Sequence, residues 1–435
     1  MKKILFVTAT FYPQNRISVL RIGQWVKYLS MKGYDVTVLT TKKYPFLGPF
    51  GLEMELPGVH VVEVDFLPFF LRKKINKKTN EKAKSKERSS EHHLLSYLKS
   101  ITRKARGYIG SFFDLYDFWI EPAFHEAVKL QEKKEFDYII SSFSPPAVHI
   151  VSHKLKLQYP NIKWIADFRD LWAYNHIIKA KGVFEKIEKR KEKKTISNAD
   201  ALITVSAPLT KEMKKHYPLH KIFTIENGFD PDEFPHWKRN ITTQPKLRNK
   251  LVISYLGTIY PKRRDPSILF QAVNELIEEK KITKRDIEIN FYGNNKKELT
   301  DIIEKKKYNK FNIINIKGFV SREQSLKIQK ESDLLLFLEW NDPSAKGVLT
   351  GKLFEYLVSG TPILALGISK ENAAGEVIEK TQTGKLFLEK EKLKKELLKI
   401  FLEKRIEFYN PNLKEIEKFS REKQVEKLIE ILESV

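Results

Sequence analysis

The 435-residue sequence contains no cysteine. This absence excludes disulfide-stapled folds, cysteine-ligated zinc or iron–sulfur sites, and a thiol nucleophile. The sequence also lacks the run of about 18 apolar residues that a membrane-spanning helix needs. The apolar stretch at residues 4–10 is too short for a signal peptide, and Tyr12-Pro13 and Arg16 follow it at once. We therefore interpret it as a buried first strand and expect a cytoplasmic protein.

Acidic residues are comparatively few. The chain has 55 Asp and Glu against 79 Lys and Arg, which gives a net charge of +24. This excess predicts attraction to an anionic partner, whether nucleic acid, an acidic lipid surface or a phosphorylated substrate. A nucleic-acid-binding signature is absent from the sequence, so we expect no nucleic-acid partner.

Short apolar runs alternate with segments of helical length along both halves of the chain. This pattern predicts an α/β protein with two doubly wound parallel sheets. In the first half the predicted strands are 4–7, 36–39, 138–140, 164–166, 201–205 and 222–225. In the second half they are 251–256, 287–292, 313–316, 334–338 and 362–365.

The alternation lapses between the two halves, and we interpret residues 236–250 as a linker. We predict an N-terminal domain at 1–235, a C-terminal domain at 251–410 and a final amphipathic helix at 411–435. That helix carries Phe419, Val425, Leu428 and Leu432 on one side. A basic, aromatic insertion at about 70–120 interrupts the first domain, with 13 Lys and Arg against three Glu between residues 71 and 106.

Two segments follow predicted strands of the second half, where parallel sheets bind ligands. After 251–256, Gly257 permits close backbone approach, and the Lys262-Arg263-Arg264 run could neutralise a diphosphate. A solvated basic turn is the alternative.

The second segment, residues 347–357, opens a helix. Thr350 and Gly351 could offer amides to a phosphate there. Glu355 could accept hydrogen bonds from two vicinal ribose hydroxyls, or could be only a partner of the helix dipole.

The block Lys352–Leu357 with Gly360-Thr361-Pro362-Ile363 resembles the donor-site signature of GT-B glycosyltransferases of family 4. Further segments are similar to family landmarks in the expected order: Phe11-Tyr12-Pro13 with Arg21, Ala166–Trp172 (typical of a "DFRD-W" subgroup), Ala199–Ser206, Asn227–Asp230 and Gly257–Pro266. The resemblance implies two Rossmann-like domains facing across a cleft, with the last helix crossing back onto the N-terminal domain. It also implies metal-independent transfer, with retention of configuration, from a nucleoside-diphosphate sugar such as a UDP- or GDP-sugar, without a cofactor.

The resemblance also assigns roles to individual residues. Glu355 would hold the ribose hydroxyls, Arg263 or Arg264 would neutralise the leaving diphosphate, and Gly257 with Thr258 would lie beneath it. The remaining donor-site residues are those expected beside the diphosphate, Thr350, Gly351, Lys352 and Leu353, and those whose main chain would meet the base, Gly318, Phe319 and Val320.

The sequence departs from the family pattern at two places. Gly347 stands where many members have a glutamate, and no histidine directly follows the strand at 138–140. We expect His149 to be a packed or surface residue rather than a catalytic one. Arg169 and Asp170 then become the catalytic candidates on the acceptor side, with an internal Arg–Asp pair as the alternative. Arg16 and Arg21 are candidates for facing an acceptor phosphate.

We therefore expect a glycosyltransferase of bacterial surface-polysaccharide synthesis (capsule, exopolysaccharide or lipopolysaccharide), acting on a glycan or polyprenyl-diphosphate-linked acceptor. The basic insertion would dock it on the inner face of the cytoplasmic membrane, with Leu94, Leu95, Tyr97 and Leu98 inserting. A solvated lysine-rich loop is the alternative for this segment. For the whole chain, the alternative is a catalytically degenerate scaffold that binds membrane or polyanion in a glycan-assembly complex.

Overall fold

The computed structural model describes residues 1–44, 50–67, 110–111, 114–175, 180–242, 245, 247–260, 263–294, 296–340, 342 and 345–435. Most of the insertion predicted at 70–120, including the four residues expected to enter the membrane, lies outside the described residues. The chain divides into two compact units, residues 1–225 with 424–435 and residues 226–423. The division after Ile225 comes earlier in the chain than the predicted domain limit at 235.

The first unit is built on a seven-stranded sheet in the order β3-β2-β1-β4-β5-β6-β7, with every neighbouring pair parallel. Its strands are β1 (Lys3–Thr8), β2 (Asp35–Thr41), β3 (His60–Val64), β4 (Tyr138–Ser142), β5 (Lys163–Phe168), β6 (Ala201–Thr204) and β7 (Lys221–Thr224). Its helices are α1 (Ile17–Met31), α2 (Ile120–Lys134), α3 (Ala147–Gln158), α4 (Val183–Ile196) and α5 (Ala207–His216).

Both faces of this sheet are covered, because successive side chains of a strand point to opposite faces. In β1, Leu5 and Val7 belong to one apolar cluster, whereas Ile4 and Phe6 belong to another. The near-continuous apolar runs of the sequence follow from this double burial.

The second unit contains a six-stranded parallel sheet in the order β10-β9-β8-β11-β12-β13. Its strands are β8 (Leu251–Leu256), β9 (Ile287–Tyr292), β10 (Ile314–Gly318), β11 (Leu334–Leu338), β12 (Ile363–Leu366) and β13 (Gly384–Phe387). Its helices are α6 (Trp237–Thr242), α7 (Ser267–Glu278), α8 (Lys296–Lys305), α9 (Arg322–Glu331), α10 (Gly351–Val358), α11 (Ala373–Thr381), α12 (Lys390–Glu403) and α13 (Leu413–Glu417). The predicted fold class, α/β with two doubly wound parallel sheets, is confirmed.

The end of the chain differs from the prediction of one helix over 411–435. Two helices occur there, α13 and α14 (Arg421–Glu433), separated at residues 418–420. Phe419 packs on Phe354 of the second unit at 5.1 Å between ring centroids. Val425 and Leu428 of α14 instead belong to the β1 cluster of the first unit. The apolar residues that the sequence places on one helix side therefore serve two separate cores, which is why one straight helix does not form.

Among the described residues, no helix combines the length and the apolar content needed to cross a membrane. In the second unit the carboxyl ends of the parallel strands β8, β10 and β11 meet at one sheet edge. Gly257 directly follows β8, Gly318 ends β10 and Glu339 follows β11. This edge is where open α/β sheets bind ligands, and the candidate site is built on it.

Candidate functional site

Gly257 and Lys352 meet at this edge of the second unit. A β-carbon added at Gly257 would lie 3.0 Å from the Lys352 Nζ and 3.3 Å from the Tyr255 hydroxyl. A side chain at position 257 would therefore press on the lysine head group, and the φ of +156° also favours glycine here. The fold brings these two residues together although they are 95 positions apart in the sequence.

The Lys352 ammonium is held by aromatic rings rather than by a carboxylate. Its Nζ donates to the Tyr255 hydroxyl at 3.2 Å and lies 4.3 Å from the centre of the Tyr255 ring and 5.5 Å from that of Phe337. In the described part of the chain it has no other hydrogen-bond partner and no ion pair within 4.0 Å. An ammonium has three donors, so two of them are left for a further group.

Burial lowers the pKa of Lys352 well below its usual value, and the neighbouring Arg264 charge lowers it further. The carboxylates of Glu339 and Glu355 act in the opposite direction, but more weakly. An ammonium in this setting favours an incoming anion, which would satisfy its free donors and restore its charge.

Arg264 is fixed by a buried carboxylate that the sequence analysis did not identify. Its Nη2 lies 3.1 Å from Oε1 of Glu339, its Nε lies 3.3 Å from the same oxygen, and its Nη1 is 3.5 Å from the Thr258 carbonyl. The side chains are 11% and 1% exposed. Glu339 is the first residue after β11, so the strand-end rule that found Gly257 would also have found it.

Arg263 has a different setting. Its guanidinium stacks over the Trp340 ring at 4.2 Å from the ring centre. In the structure as described it forms no ion pair with a carboxylate. Of the two arginines named from sequence, Arg263 therefore keeps its charge unpaired, whereas that of Arg264 is balanced by Glu339.

The start of α10 lies directly before Lys352. Thr350 is the N-cap residue, has an extended backbone and gives no side-chain cap. Its buried Oγ1 has no partner among the described residues. The first amides of a helix have no intrahelical acceptor, so this end favours an anion. The Leu353 side chain is fully buried in the apolar core, and its amide donates to the Thr350 carbonyl.

Glu355 lies one turn further along α10 and forms part of a charged network. Its Oε1 accepts from Nη1 of Arg322 at 2.9 Å, and its Oε2 accepts from Nε2 of Gln329 at 3.2 Å. Arg322 also binds Glu233 with two bonds, at 2.9 and 2.8 Å. Glu355 is thus a fixed, partly exposed carboxylate, rather than only a partner of the helix dipole.

The segment Gly318-Phe319-Val320 connects β10 to α9. Gly318 has φ +81°, which favours glycine, and its carbonyl accepts from the Gly293 amide at 2.7 Å. The Phe319 side chain is 65% exposed. Ser321 then caps α9, whose first residue is the Arg322 that holds Glu355. The residues predicted to meet a nucleobase therefore lie within a few positions of Arg322, which binds Glu355, the residue predicted to hold the ribose.

In the first unit, the strand end after β5 contains a buried ion pair, but between other residues than the sequence suggests. Arg21 donates to Asp167 through Nη2 at 2.8 Å, and both side chains are fully buried. Arg169 and Asp170 form no ion pair with each other within 4.0 Å in the described structure. The internal pair considered for them is thus wrong, and so is the idea that Arg21 faces an acceptor phosphate.

Arg169 keeps a buried Nε with no hydrogen-bond partner in the described structure, and Asp170 is exposed. Burial lowers the pKa of Arg169, while Asp167 opposes this effect. Of the two settings considered for His149, packed or at the surface, the structure shows the packed one: it is fully buried, its Nδ1 is 2.7 Å from Oγ of Ser141, and burial lowers its pKa to about 3.

Comparison with known proteins shows a sequence similarity to one family. Residues 91–233 match the model of the family described as Glycosyltransferase Family 4. Over these residues, about a third of the chain, the sequence is similar to that family. No curated protein sequence matches the chain significantly.

Solved structures share the fold over the whole length. A glycosyltransferase from Rickettsia africae is 15% identical with a TM-score of 0.62, over 100% of this chain and 98% of that one. Sucrose-phosphate synthase from Thermosynechococcus elongatus is 12% identical with a TM-score of 0.62, over 100% and 99%. The apo lipopolysaccharide outer core galactosyltransferase WaaB is 12% identical with a TM-score of 0.56, over 98% and 99%.

At these identities the structures show the fold, which is GT-B with two Rossmann-like domains. The predicted resemblance is confirmed: the likeness to family 4 covers residues 91–233, and the likeness to the GT-B fold covers the whole length. The roles assigned to individual residues stay predictions.

Proposed function

We propose that this protein is a retaining, metal-independent glycosyltransferase that uses a nucleoside-diphosphate sugar, with UDP or GDP as the nucleotide. The observation that carries this proposal is the Lys352 ammonium, which lies against Gly257 with two unfilled donors. The stacked Arg263 and the uncapped start of α10 supply further positive character at the same sheet edge. A diphosphate matches this set of donors in charge and in number of acceptor oxygens.

The chemistry places charge where it is needed. The bond between the anomeric carbon and the diphosphate oxygen breaks, and an acceptor hydroxyl oxygen forms the new bond to that carbon. The hydroxyl proton passes to the leaving diphosphate, which gains negative charge in the same step. The sugar passes through an oxocarbenium-like state while negative charge grows on the leaving diphosphate. Fixed cations such as Lys352, Arg263 and Arg264 stabilise that charge without reorganising, and so lower the barrier.

The acceptor is proposed from chemistry and family. We propose a glycan or a polyprenyl-diphosphate-linked glycan of bacterial surface polysaccharide, presented at the inner face of the cytoplasmic membrane. The structural similarity to a lipopolysaccharide galactosyltransferase and the net charge of +24 support this setting. On the acceptor side, Arg169 and Asp170 remain the candidates for contacting substrate.

Nucleotide binding tests the donor assignment first. Thermal-shift titrations with UDP and GDP should raise the unfolding midpoint for one of them, because a ligand that binds only the folded state stabilises it. A hydrolysis screen of UDP- and GDP-sugars should then identify the sugar, and NMR of the released anomer should show retention. Stabilisation by neither nucleotide, together with no hydrolysis, would favour the non-catalytic scaffold.

A further inference from the structure

Arg322 joins two carboxylates that lie far apart in the sequence. Its Nε and Nη2 donate to the two oxygens of Glu233 at 2.9 and 2.8 Å, and its Nη1 donates to Oε1 of Glu355 at 2.9 Å. The two-bond contact with Glu233 fixes the plane of the guanidinium, because both groups are planar forks. The Arg322 side chain is 23% exposed, and those of Glu233 and Glu355 are 26% and 17% exposed.

The hydrogen bonds to Glu355 leave some of its acceptor positions unused. A carboxylate has about four acceptor positions. Arg322 uses one on Oε1 and Gln329 uses one on Oε2, and Glu355 has no other hydrogen bond among the described residues. One position is left on each oxygen, which matches two neighbouring hydroxyls.

The charge of this cluster also suits hydroxyl recognition. Arg322 divides its donors between two carboxylates and gives Glu355 only one hydrogen bond, so Glu355 keeps acceptor capacity for a further group. Burial acts to lower the pKa of Arg322, but Glu355 and Glu233 outweigh it and raise that pKa, so the cation persists.

Glu233 is itself held in place by the segment in which it lies. Asp230 accepts from the Asp232 amide at 3.1 Å and starts the short 3-10 helix Pro231–Glu233. A few residues earlier, Asn227 donates through Nδ2 to the Leu349 carbonyl at 2.9 Å, just before the start of α10. The motif Asn227–Asp230, to which no role was assigned from sequence, therefore supports both the helix start and the partner of Arg322.

We infer that Arg322, held by Glu233, is a positioning residue that orients Glu355 toward the two hydroxyls of the donor ribose. This inference rests on the proposed function, because it needs a ribonucleotide at Glu355. A pre-oriented carboxylate binds without first losing side-chain freedom, so the discrimination between ribose and deoxyribose depends on the Arg322–Glu233 pair.

The test compares ribonucleotides with their 2′-deoxy counterparts. Affinities for UDP, dUDP, GDP and dGDP are measured by calorimetry on the full chain for wild type, Arg322→Met, Glu233→Gln and Glu355→Ala. Wild type should prefer the ribonucleotide by about tenfold or more, since a hydrogen bond to a charged group is lost in the deoxy form. In all three variants this preference should fall close to unity, and affinity for the deoxy form should fall less than affinity for the ribonucleotide, because the deoxy form has only its 3′-hydroxyl to lose from Glu355.

Two controls separate positioning from simple loss of structure. Arg285→Met removes an exposed arginine of the same unit and should keep the preference. Arg322→Lys restores the charge but not the fork, and should not restore the preference. Thermal midpoints show whether each variant is folded, and Glu233→Gln gives a second reading if Arg322→Met does not fold.

The outcomes are distinct. If wild type binds none of the four nucleotides, the proposed function and this inference both fail. If wild type prefers the ribonucleotide and both Arg322→Met and Glu233→Gln retain that preference, only the inference is overturned. Tighter ribonucleotide binding by Arg322→Met would also overturn it, because Arg322 would then be competing with the ribose.

Discussion

At the scale of single residues, the candidate site at the carboxyl ends of the second unit's strands contains two kinds of cation. Arg264 and Arg322 are each paired with carboxylates. Lys352 and Arg263 have no carboxylate partner in the part of the chain that the structure describes. Lys352 lies on the phenol of Tyr255, and Arg263 lies on the indole ring of Trp340. A carboxylate partner reduces the positive charge that a cation offers to a ligand, whereas a cation that lies on an aromatic group has no such competitor.

The first prediction concerns Lys352. Lys352→Met keeps the unbranched apolar part of the side chain and removes the charged group, so affinity for the preferred nucleoside diphosphate should fall by about tenfold to a hundredfold, the range of a charged hydrogen bond. Calorimetric titration measures this change. Lys392→Met, at an exposed lysine that pairs with Glu389 one turn away, is the matched control and should leave affinity unchanged. Equal affinity in wild type and Lys352→Met would remove Lys352 from the site.

The second prediction is a dependence on pH at the same residue. Because burial and Arg264 lower the pKa of free Lys352, its charged fraction falls as the pH rises. A bound diphosphate raises that pKa again, so binding takes up a proton and affinity decreases with rising pH.

The measurement uses the nucleotide-sugar donor between about pH 7 and pH 9.5, where its diester phosphates no longer titrate. Affinity should fall across this range in wild type and stay nearly flat in Lys352→Met. A wild-type profile as flat as that of the variant would show that Lys352 does not change its protonation on binding.

Residues that follow strands could be predicted from the sequence, but most of their partners could not. Gly257, Arg264 and Lys352 were found because strand ends and helix starts are local patterns. Arg264 and Glu339 are 75 positions apart, and Arg322 and Glu233 are 89 apart. Pairs of this kind are created by the order of strands in the sheet, which a single sequence does not reveal. Glu339 is the exception, because its position after β11 was available.

At the scale of elements, burial decided which strands could be predicted. The strands missed by the sequence analysis are β3 and β13, and each lies at an edge of its sheet. Their residues are mostly exposed or half-buried, so they lack the continuous apolar run of the central strands. The final helix was predicted as one element for the opposite reason: its apolar positions continue across the break although they pack in different units.

Helix α4 shows a second feature that its composition hides. It is rich in lysine, yet two of its glutamates one turn apart, Glu188 and Glu192, are buried. Glu188 accepts from the Ser111 amide at 2.7 Å, and Glu192 accepts from the Ala173 amide at 2.5 Å and the Tyr217 hydroxyl at 2.7 Å. The helix thereby holds the loop that follows Arg169 and Asp170.

The third prediction follows from Glu192. Burial raises its pKa to about 7 from 4.5, although the two hydrogen bonds oppose this. Between these values the folded state binds a proton that the unfolded state does not, so stability falls as the pH rises from 4.5 through 7. The cost is complete above the folded pKa and amounts to about 3 kcal/mol.

Calorimetric unfolding at about pH 5.5 and pH 8 measures this effect. Glu192→Gln removes the titration and can keep both contacts, so it should lose less stability than wild type between the two values. Glu185→Gln, at a half-exposed site on the same helix, should behave like wild type. The same pH-dependent loss in wild type and Glu192→Gln would contradict the assignment.

At the scale of the whole molecule, the total charge of the chain and the local contacts of the candidate site act differently on a ligand. The candidate site of the second unit contains a few cations at fixed positions. The net charge of +24 is instead spread along the chain and is most concentrated in residues 71–106. Long-range attraction to an anionic surface depends on the total charge and is screened by salt, whereas the contacts of a partly buried site are screened much less. The two properties can therefore be removed independently.

The fourth prediction tests that independence. The full chain should float with vesicles that contain anionic lipid and not with neutral vesicles, and raising the salt from about 0.1 M to 1 M should release it, because the Debye length falls from about 10 to 3 Å. Replacing the 13 Lys and Arg of residues 71–106 by Gln should abolish flotation. The same variant should keep the thermal shift given by the preferred nucleotide. Lys352→Met should instead lose that thermal shift and keep flotation.

Equal recovery of wild type with both kinds of vesicle would overturn membrane docking. Flotation that survives the charge removal would instead place the lipid contact outside residues 71–106, since basic residues elsewhere in the chain would then be sufficient.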